Sequence, residues 1–397
     1  MTERADLVVV GAGTLGGWAS VFAAETGLER VIVVERDLAG MGASSRAAGI
    51  VRAQGGTPAT VALGRWSIDF YRRQAATYGT DSGFRERGYL ILAVTDEDER
   101  AGHERLEMQH AEGLDDVRWL SAEEARAVSP TLAPDGHRGG TFRSGDGHID
   151  PPRNVRAYSL AMQAAGVELR EGTAFTGLRT AADGRVTGVE TSAGPIATER
   201  VLLTGGPGLR AVGELAGIPI PVGAARHTVA LLEPHEAFAG PVPMVFDLAA
   251  GLYWRPEEGG LLFGWSDPDD EPGEARAIDW EAYERYRERL AGFVPITRGM
   301  GLRRIWAATS DYTPDHTPIV GPGRLPDGSP IPGVTVVAAG GHGMMWGPGL
   351  ARVAADLVTR GTTDVLDVAD MGLDRFDERG RSRLATDPVT LPYPISD

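Results

Sequence analysis

The chain has 397 residues, of which 42 % are apolar and 24 % charged, with a formal net charge of −16 and no cysteine. That length favours two packed domains and that composition a globular protein, with no apolar run near the roughly 20 residues of a membrane span. The acidic balance, with no basic block against it, excludes nucleic-acid binding through phosphate neutralisation, and the missing cysteine excludes disulfides, thiolate metal sites, iron–sulfur clusters and a redox dithiol.

Met1 to Asp6 lead directly into the apolar run Leu7 to Val10. A signal peptide has no room there, so a cytoplasmic location is expected. Leu7 to Val10 reads as a strand buried on both faces, Thr14 to Glu25 as a helix stopped by Gly27, and Val31 to Val34 as a second buried strand. A crossover of that length between parallel strands is a βαβ unit. Phe84 to Leu92 reads as strand, Asp96 to Gly113 as a charged helix, and Ser121-Ala122-Glu123-Glu124 as the capped start of a short helix. A helix over Arg153 to Ala165 leads into the strand Val167 to Leu169, and a strand pair spans Ala174 to Thr191. Val201 to Leu203 is a strand running into Thr204-Gly205-Gly206. Strands then alternate from Ile218 to Trp306 around one long helix, Asp279 to Leu290. Val334 to Val337 runs into Gly340-Gly341-His342-Gly343 and a helix over Gly349 to Thr359. The tail after Asp374 is polar and proline-bearing and reads as a surface extension.

Gly11-Ala12-Gly13-Thr14-Leu15-Gly16 follows the first strand, and Glu35-Arg36 follows the second. Gly11 permits a tight turn, Gly13 lets backbone approach a pyrophosphate, and Gly16 allows close packing of helix on strand. The helix N-terminus offers N–H groups and a positive dipole end to the phosphates. Glu35 stands where a carboxylate accepts hydrogen bonds from ribose hydroxyls. Strand, glycines, helix, strand and acid fall in order, which a merely structural turn does not require. The motif serves FAD and NAD alike. With the junctions near residues 205 and 341, it implies one Rossmann-like sheet assembled from distant parts of the chain. The expected fold class is α/β: a discontinuous dinucleotide-binding domain over 1–82, 141–211 and 318–397, and a sheet-based α+β substrate domain over 83–140 and 212–317.

Three further segments bear on the cofactor. Gly42-Ala43-Ser44-Ser45-Arg46-Ala47-Ala48-Gly49-Ile50-Val51-Arg52 is a small-residue loop after the Glu35 strand. Asp146-Gly147-His148-Ile149-Asp150-Pro151 precedes a helix, and Asp311-Tyr312-Thr313-Pro314-Asp315-His316-Thr317-Pro318-Ile319-Val320-Gly321 precedes the last glycine junction. At these residues the chain, from about 5 to 360, resembles the D-amino-acid-oxidase-like superfamily of FAD enzymes. The branch it resembles holds the sarcosine oxidases, dimethylglycine dehydrogenases and glycine oxidases. The resemblance implies bound FAD, with Ser44, Ser45, Ala48, Gly49 and Ile50 along flavin and pyrophosphate and Arg46 in the same loop. It also implies backbone contacts from Ala174 and Phe175 to adenine, and Thr204, Gly205 and Gly206 beneath the dinucleotide. Gly341-His342-Gly343-Met344-Met345 would turn backbone N–H groups to the flavin pyrimidine. A helix N-terminus there stabilises the reduced anion by about 1–2 kcal/mol.

Departures from the resemblance matter. Cysteine is absent and Arg46 stands where some relatives carry a flavin-linking histidine, so FAD is expected to be noncovalent. Leu262 and Met345 stand at the places of two family lysines, which weighs against sarcosine itself and against rapid reaction with oxygen. Arg52 stands where sarcosine-oxidase relatives bind a substrate carboxylate, a task suited to a bidentate guanidinium, with FAD phosphate or solvent as alternative partners. Tyr253 and Trp254 match aromatic positions of the substrate strand, or simply pack a sheet; Arg226 and His227 open another such strand. Ser310 stands where glycine-oxidase relatives place an anchoring arginine. Arg52, His342 and Tyr253 are the candidate catalytic residues, although His342 also fits as a packed loop histidine.

His103 and His110 read as a solvated helix face, and Asp267 to Glu271 lacks calcium-loop spacing, so no metal is expected. The resemblance implies an enzyme that moves a hydride from the carbon beside a primary or secondary amine of a small, carboxylate-bearing substrate to flavin N5. The imine then hydrolyses, and oxygen or an electron carrier takes up the electrons. Two other readings stay open: oxidation of a 2-hydroxy acid on the same fold, and a flavin-carrying subunit active only with a partner.

Overall fold

The computed structural model describes residues 3–274 and 276–388. Its fold is α/β, organised on two large sheets. The first has six strands in the order Glu168–Arg170, Val31–Val34, Leu7–Val10, Val201–Leu203, Pro330–Ala338 and Ile319–Arg324. The first five run parallel, and the last is antiparallel to its neighbour. Alternation along each strand divides its side chains between two cores. Leu7, Val9, Val31 and Val33 pack with residues of the helices Thr14–Ala24, Pro151–Ala164 and Gly347–Arg360. Val8, Val10, Ile32 and Val34 pack with Phe175, Val186, Val189 and Ile196 of a four-stranded layer. Covering both faces is what lets such unbroken apolar runs form a sheet at all. The three separated glycine junctions thus end strands of one sheet, as their pattern implies.

The second sheet has eight strands: Leu302–Tyr312, Gly223–Leu232, Gly260–Trp265, Leu252–Glu257, Met244–Asp247, Tyr89–Ala93, Gly139–Arg143 and Arg118–Ser121. It too has two unlike faces. Trp254, Phe263 and Trp265 pack with Tyr283, Tyr286 and Leu290 of the helix Trp280–Phe293. Tyr89, Val229, Phe246, Tyr253 and Leu262 pack from the other face with Ala48. Trp254 therefore belongs to the helix-side core, and of the two expected aromatics only Tyr253 turns to the loop Gly42–Arg52. Gly139–Arg143 pairs with strands on both sides in this sheet. The expected boundary between residues 140 and 141 falls inside that strand.

Two elements depart from the sequence reading. Residues 53–83 carry no assigned element, yet they hold the longest helix, Pro58–Tyr78. Thr57 caps it, Pro58 opens it and left-handed Gly79 closes it. Its local signals are a cap, an N1 proline and a C-terminal glycine rather than a strong apolar stripe. Phe70 and Tyr78 pack on Trp18 with ring centroids 4.8 and 5.3 Å away. A Cβ on Gly64 would lie 2.5 Å from the Arg52 carbonyl oxygen, so a glycine there brings the helix onto the segment of Arg52, just after the strand Ile50–Val51.

The tail is the second departure. Arg375 and Asp315 form a bidentate ion pair, 2.7 and 2.9 Å, with both side chains inaccessible to water. Asp387 is buried, donates its amide to the Asp315 carbonyl at 3.0 Å and accepts from Thr60 Oγ1 at 3.0 Å. Through Asp387 the chain is therefore packed structure rather than a surface extension. Residues 389–397, the rest of that expected extension, lie outside the described residues. Among the described residues no helix is long and apolar enough to cross a membrane.

Candidate functional site

Four adjacent parallel strands end on the same side of the six-stranded sheet, at Val34, Val10, Leu203 and Ala338. Open α/β sheets bind ligands outside such carboxyl ends, where the strand order reverses. Here the chain leaves Leu7–Val10 toward Val31–Val34 on one side, and Val201–Leu203 lies on the other. The turns that follow these strands, with Glu35, Gly11, Thr204 and Gly341, line one cleft open to solvent. Three interstrand steps carry it across about 14 Å of sheet.

The first wall is built by close backbone approach. Gly11 has φ of +100°, and a Cβ on Gly16 would stand 1.9 Å from the Gly11 carbonyl oxygen. Only glycine at residue 16 lets the helix Thr14–Ala24 start against the turn, with its N-terminal amides toward the cleft. The Ser44 hydroxyl accepts from the Thr14 amide at 3.0 Å and so ties the small-residue loop to that helix. The Glu35 carboxylate accepts from the Ala12 amide at 2.8 Å and from the Asp37 amide at 2.9 Å, one donor on each oxygen. Each oxygen keeps acceptor capacity for a hydroxyl. Thr204 Oγ1 donates to the Val10 carbonyl at 2.7 Å and locks the neighbouring strand end to the turn.

At the far strand the Asp311 carboxylate accepts from the amides of Ala339 and Gly340, at 3.2 and 3.1 Å. Burial holds its pKa above the ordinary value against those bonds. The next amides, of Gly343 and Met344, have no acceptor among the described residues and belong to residues lining the cleft. His342 Nδ1 lies 3.0 Å from the Gly340 carbonyl, which can only accept, so Nδ1 carries the ring proton. Burial, and then the nearby Arg52 charge, pull the His342 pKa down to about 3. His342 is therefore a neutral ring at physiological pH.

The opposite wall is made of side chains, most of them from the eight-stranded sheet, with Arg52 joining from just after the short strand Ile50–Val51 of a separate three-stranded sheet. Arg52 is 1 % exposed, lies over the Tyr89 ring at 5.7 Å, and donates to the Gln54 carbonyl. The Gln54 amide in turn donates to the buried Asp146 carboxylate at 3.1 Å, which also accepts from the Ala53 amide at 3.0 Å. Tyr253 is buried, with its hydroxyl 2.6 Å from His227 Nε2. His227 Nδ1 lies 2.8 Å from Ser266 Oγ, which lies 2.9 Å from the Tyr312 hydroxyl. Burial pulls the His227 pKa down to about 4 and pushes that of Tyr253 well up, so both are neutral. Arg255 anchors the loop beneath this wall by donating to the Ala48 carbonyl at 3.0 Å.

Of the expected site residues, Gly11, Gly13, Thr14, Leu15, Glu35, Arg36, Ser44, Ala48, Gly49, Ile50, Arg52, Thr204, Gly205, Gly206, Tyr253, Gly341, His342, Gly343, Met344 and Met345 line the cleft together. Ser310 lines it as well. Ala12, Gly16, Ser45, Arg46, Ala174 and Phe175 are not part of its lining. Ala12 and Gly16 lie beneath the turn, Phe175 is in the core beside Val34, and Arg46 bonds back to the Met41 and Gly42 carbonyls. Arg226 turns from the cleft into an ion pair with Asp270. Tyr89 and Phe246 of the lining carry no sequence signal beyond an apolar strand. His227, Ser266 and Tyr312 stand far apart in sequence and are joined only by strand pairing. Asp267, read as surface, is buried and paired with Arg285 at 2.5 Å. Among the described residues no group of His, Asp and Glu is arranged to hold a metal ion.

Comparison with known proteins places this geometry. The sequence pattern of the family described as FAD dependent oxidoreductase, DAO, matches residues 6–357. The chain is 28 % identical over 392 residues to 4-methylaminobutanoate oxidase (formaldehyde-forming) of Paenarthrobacter nicotinovorans, covering 95 % of this chain and 46 % of that protein. The chain thus spans about half the length of that relative. It is 26 % identical to sarcosine oxidase subunit beta of Rhodobacter capsulatus, covering 95 % of this chain and 89 % of that one. Among solved structures it is similar to L-proline dehydrogenase from P. horikoshii, with a TM-score of 0.86 and 25 % identity over 96 % of this chain and all of that one.

Proposed function

Since this chain belongs to the DAO family of FAD-dependent oxidoreductases, we propose that it oxidises the carbon–nitrogen bond of a small amine bearing a carboxylate to an imine that water hydrolyses. One observation carries the reading. The buried Arg52 cation and the neutral Tyr253–His227 pair line the same cleft as the dinucleotide turns. The compounds in the names of the three relatives, 4-methylaminobutanoate, sarcosine and L-proline, each carry an amine and a carboxylate.

The residues present fit FAD. Gly16, where a Cβ would strike the Gly11 carbonyl, lets the helix start pack close against the glycine turn, Glu35 keeps lone pairs for the ribose, and the amides of Gly343 and Met344 await an acceptor. With Arg46 at the linking place and no cysteine in the chain, binding is noncovalent. When bound, FAD supplies a two-electron acceptor for hydride. The protein's task is then to hold the substrate and remove its ammonium proton, because only the neutral amine can release hydride. Arg52 grips the carboxylate in a site where burial strengthens each charged hydrogen bond. Tyr253 would face the amine and take its proton as the Tyr253 hydroxyl proton passes to His227 Nε2, 2.6 Å away. Neutral His342 adds no positive charge to repel an ammonium on arrival, and the Gly343 and Met344 amides would be the donors that face negative charge on a bound flavin.

Product analysis tests the reaction class: amine or ammonia released with an aldehyde or keto acid supports the reading, whereas a keto acid formed from a 2-hydroxy acid without nitrogen release sinks it. A second reading rests on the relative named as a subunit. In it the isolated chain carries flavin and is reduced by substrate only with a partner present.

A further inference from the structure

Building on that reading, we propose that Ser266 and Tyr312 are positioning residues that extend the Tyr253–His227 pair into a four-member proton relay, receiving the substrate's ammonium proton at Tyr253 and releasing one at Tyr312. The relay runs across the eight-stranded sheet. Tyr253 lies on Leu252–Glu257, His227 on Gly223–Leu232, Ser266 just beyond Gly260–Trp265, and Tyr312 at the end of Leu302–Tyr312. Consecutive heavy atoms are 2.6, 2.8 and 2.9 Å apart, each a direct hydrogen bond. Tyr253, His227 and Tyr312 line the cleft, whereas Ser266 is buried behind them.

Gly264 makes the first link geometrically feasible. It lies on the strand between those of Tyr253 and His227, and a Cβ there would stand 2.0 Å from the Tyr253 hydroxyl. A glycine at that one position opens the hole through which the phenol reaches the imidazole.

Every member of the chain both donates and accepts, so it has two polarities. In the first, Tyr253 donates to His227 Nε2, Nδ1–H donates to Ser266, Ser266 donates to Tyr312, and Tyr312 donates to an acceptor beyond the relay. Tyr253 then shows the substrate a lone pair. When the ammonium N–H bond breaks, its proton joins the Tyr253 oxygen. The Tyr253 proton passes to Nε2, the Nδ1 proton to Ser266, the Ser266 proton to Tyr312 and the Tyr312 proton to that acceptor. One proton enters, one leaves, no electron moves, and every hydrogen bond ends reversed. The imidazole never carries net charge, which matches a ring whose burial disfavours the imidazolium.

Flavin-loaded protein labelled with 15N-histidine tests this, with the His227 signals identified by their loss in His227→Gln. The relay predicts that Tyr312→Phe, two bonds removed, shifts the Nδ1 signal of His227 in the same direction as Ser266→Ala. An Nδ1 signal moved by Ser266→Ala and unmoved by Tyr312→Phe overturns it. Flavin reduction by an amine should slow about 100-fold in each variant and no further in the double variant, since members of one relay are non-additive. Additive losses also overturn it. If no amine reduces the parent protein, the amine-oxidation reading fails, and the NMR result still decides the relay.

Discussion

The wall of the cleft contributed by the six-stranded sheet consists largely of backbone, while the wall contributed by the eight-stranded sheet consists of aromatic and ionisable side chains. On the first, a steric fact such as the 1.9 Å approach at Gly16 fixes the shape, and amides at a helix start and at Gly343 and Met344 supply the polarity. On the second, Tyr89, His227 and Tyr253 supply both, with Arg52 beside them from just after Ile50–Val51. In the proposed function, the backbone donors would meet what every flavin shares, phosphates and an isoalloxazine edge. Side chains can be exchanged without disturbing the sheet that bears them, which is where that reading places substrate choice. Leu262 illustrates the exchange, packing with Leu231 and Val229 where relatives are expected to carry a lysine.

If the walls are separable in this way, damage to each should have its own signature. The largest effect belongs to the backbone wall. Gly16→Val should abolish flavin binding, because the new side chain meets a carbonyl oxygen rather than a flexible partner, and purified protein should be colourless. Full flavin occupancy in that variant would break the comparison. On the other wall, Tyr253→Phe should leave occupancy intact and slow anaerobic flavin reduction about 100-fold, the scale of a lost general base. Arg52→Ala should likewise keep its flavin and raise KM between about 10- and 100-fold, the worth of one or two charged hydrogen bonds. Loss of flavin instead would reassign Arg52 to the cofactor.

The smallest effect sharpens the electrostatic side. The pKa values of His227 and His342 are depressed to about 4 and about 3 from the ordinary 6.5. Above pH 6.5 each ring is neutral both folded and unfolded. Below it the unfolded chain takes up protons that the folded protein refuses, so stability falls as pH drops toward the folded values, by at most about 1.4 kcal/mol per pH unit for each ring. His227→Gln should flatten the unfolding midpoint between pH 6.5 and 4. An unchanged slope would place a charged His227 in the folded protein.

The same division explains what could be read from the sequence. Gly11, Gly13, Gly16 and Glu35 are legible because one short segment contains the whole device, and local spacing decides it. The junctions at Gly205 and Gly341 are legible because each follows its own apolar strand. Helix Pro58–Tyr78 is harder: its register is set by aromatic packing on Trp18 and by Gly64 against the backbone of Arg52, contacts that no local periodicity records. The tail misleads for a similar reason, since Asp387 and Arg375 look solvated until Thr60 and Asp315 are brought to them. His227 is visible as a residue but not as a partner, because its bonds to Tyr253 and Ser266 cross 26 and 39 positions.

The central claim is that this cleft brings a carboxylate-bearing amine to a bound flavin. The most direct test is an anaerobic absorbance titration of the flavin-loaded protein against amino acids, N-methyl amino acids, 4-methylaminobutanoate and 2-hydroxy acids. The account predicts that at least one amine bleaches the flavin, that no 2-hydroxy acid does, and that esterifying the carboxylate of the active amine abolishes bleaching. Bleaching by a 2-hydroxy acid alone, or equal bleaching by the ester, would contradict it.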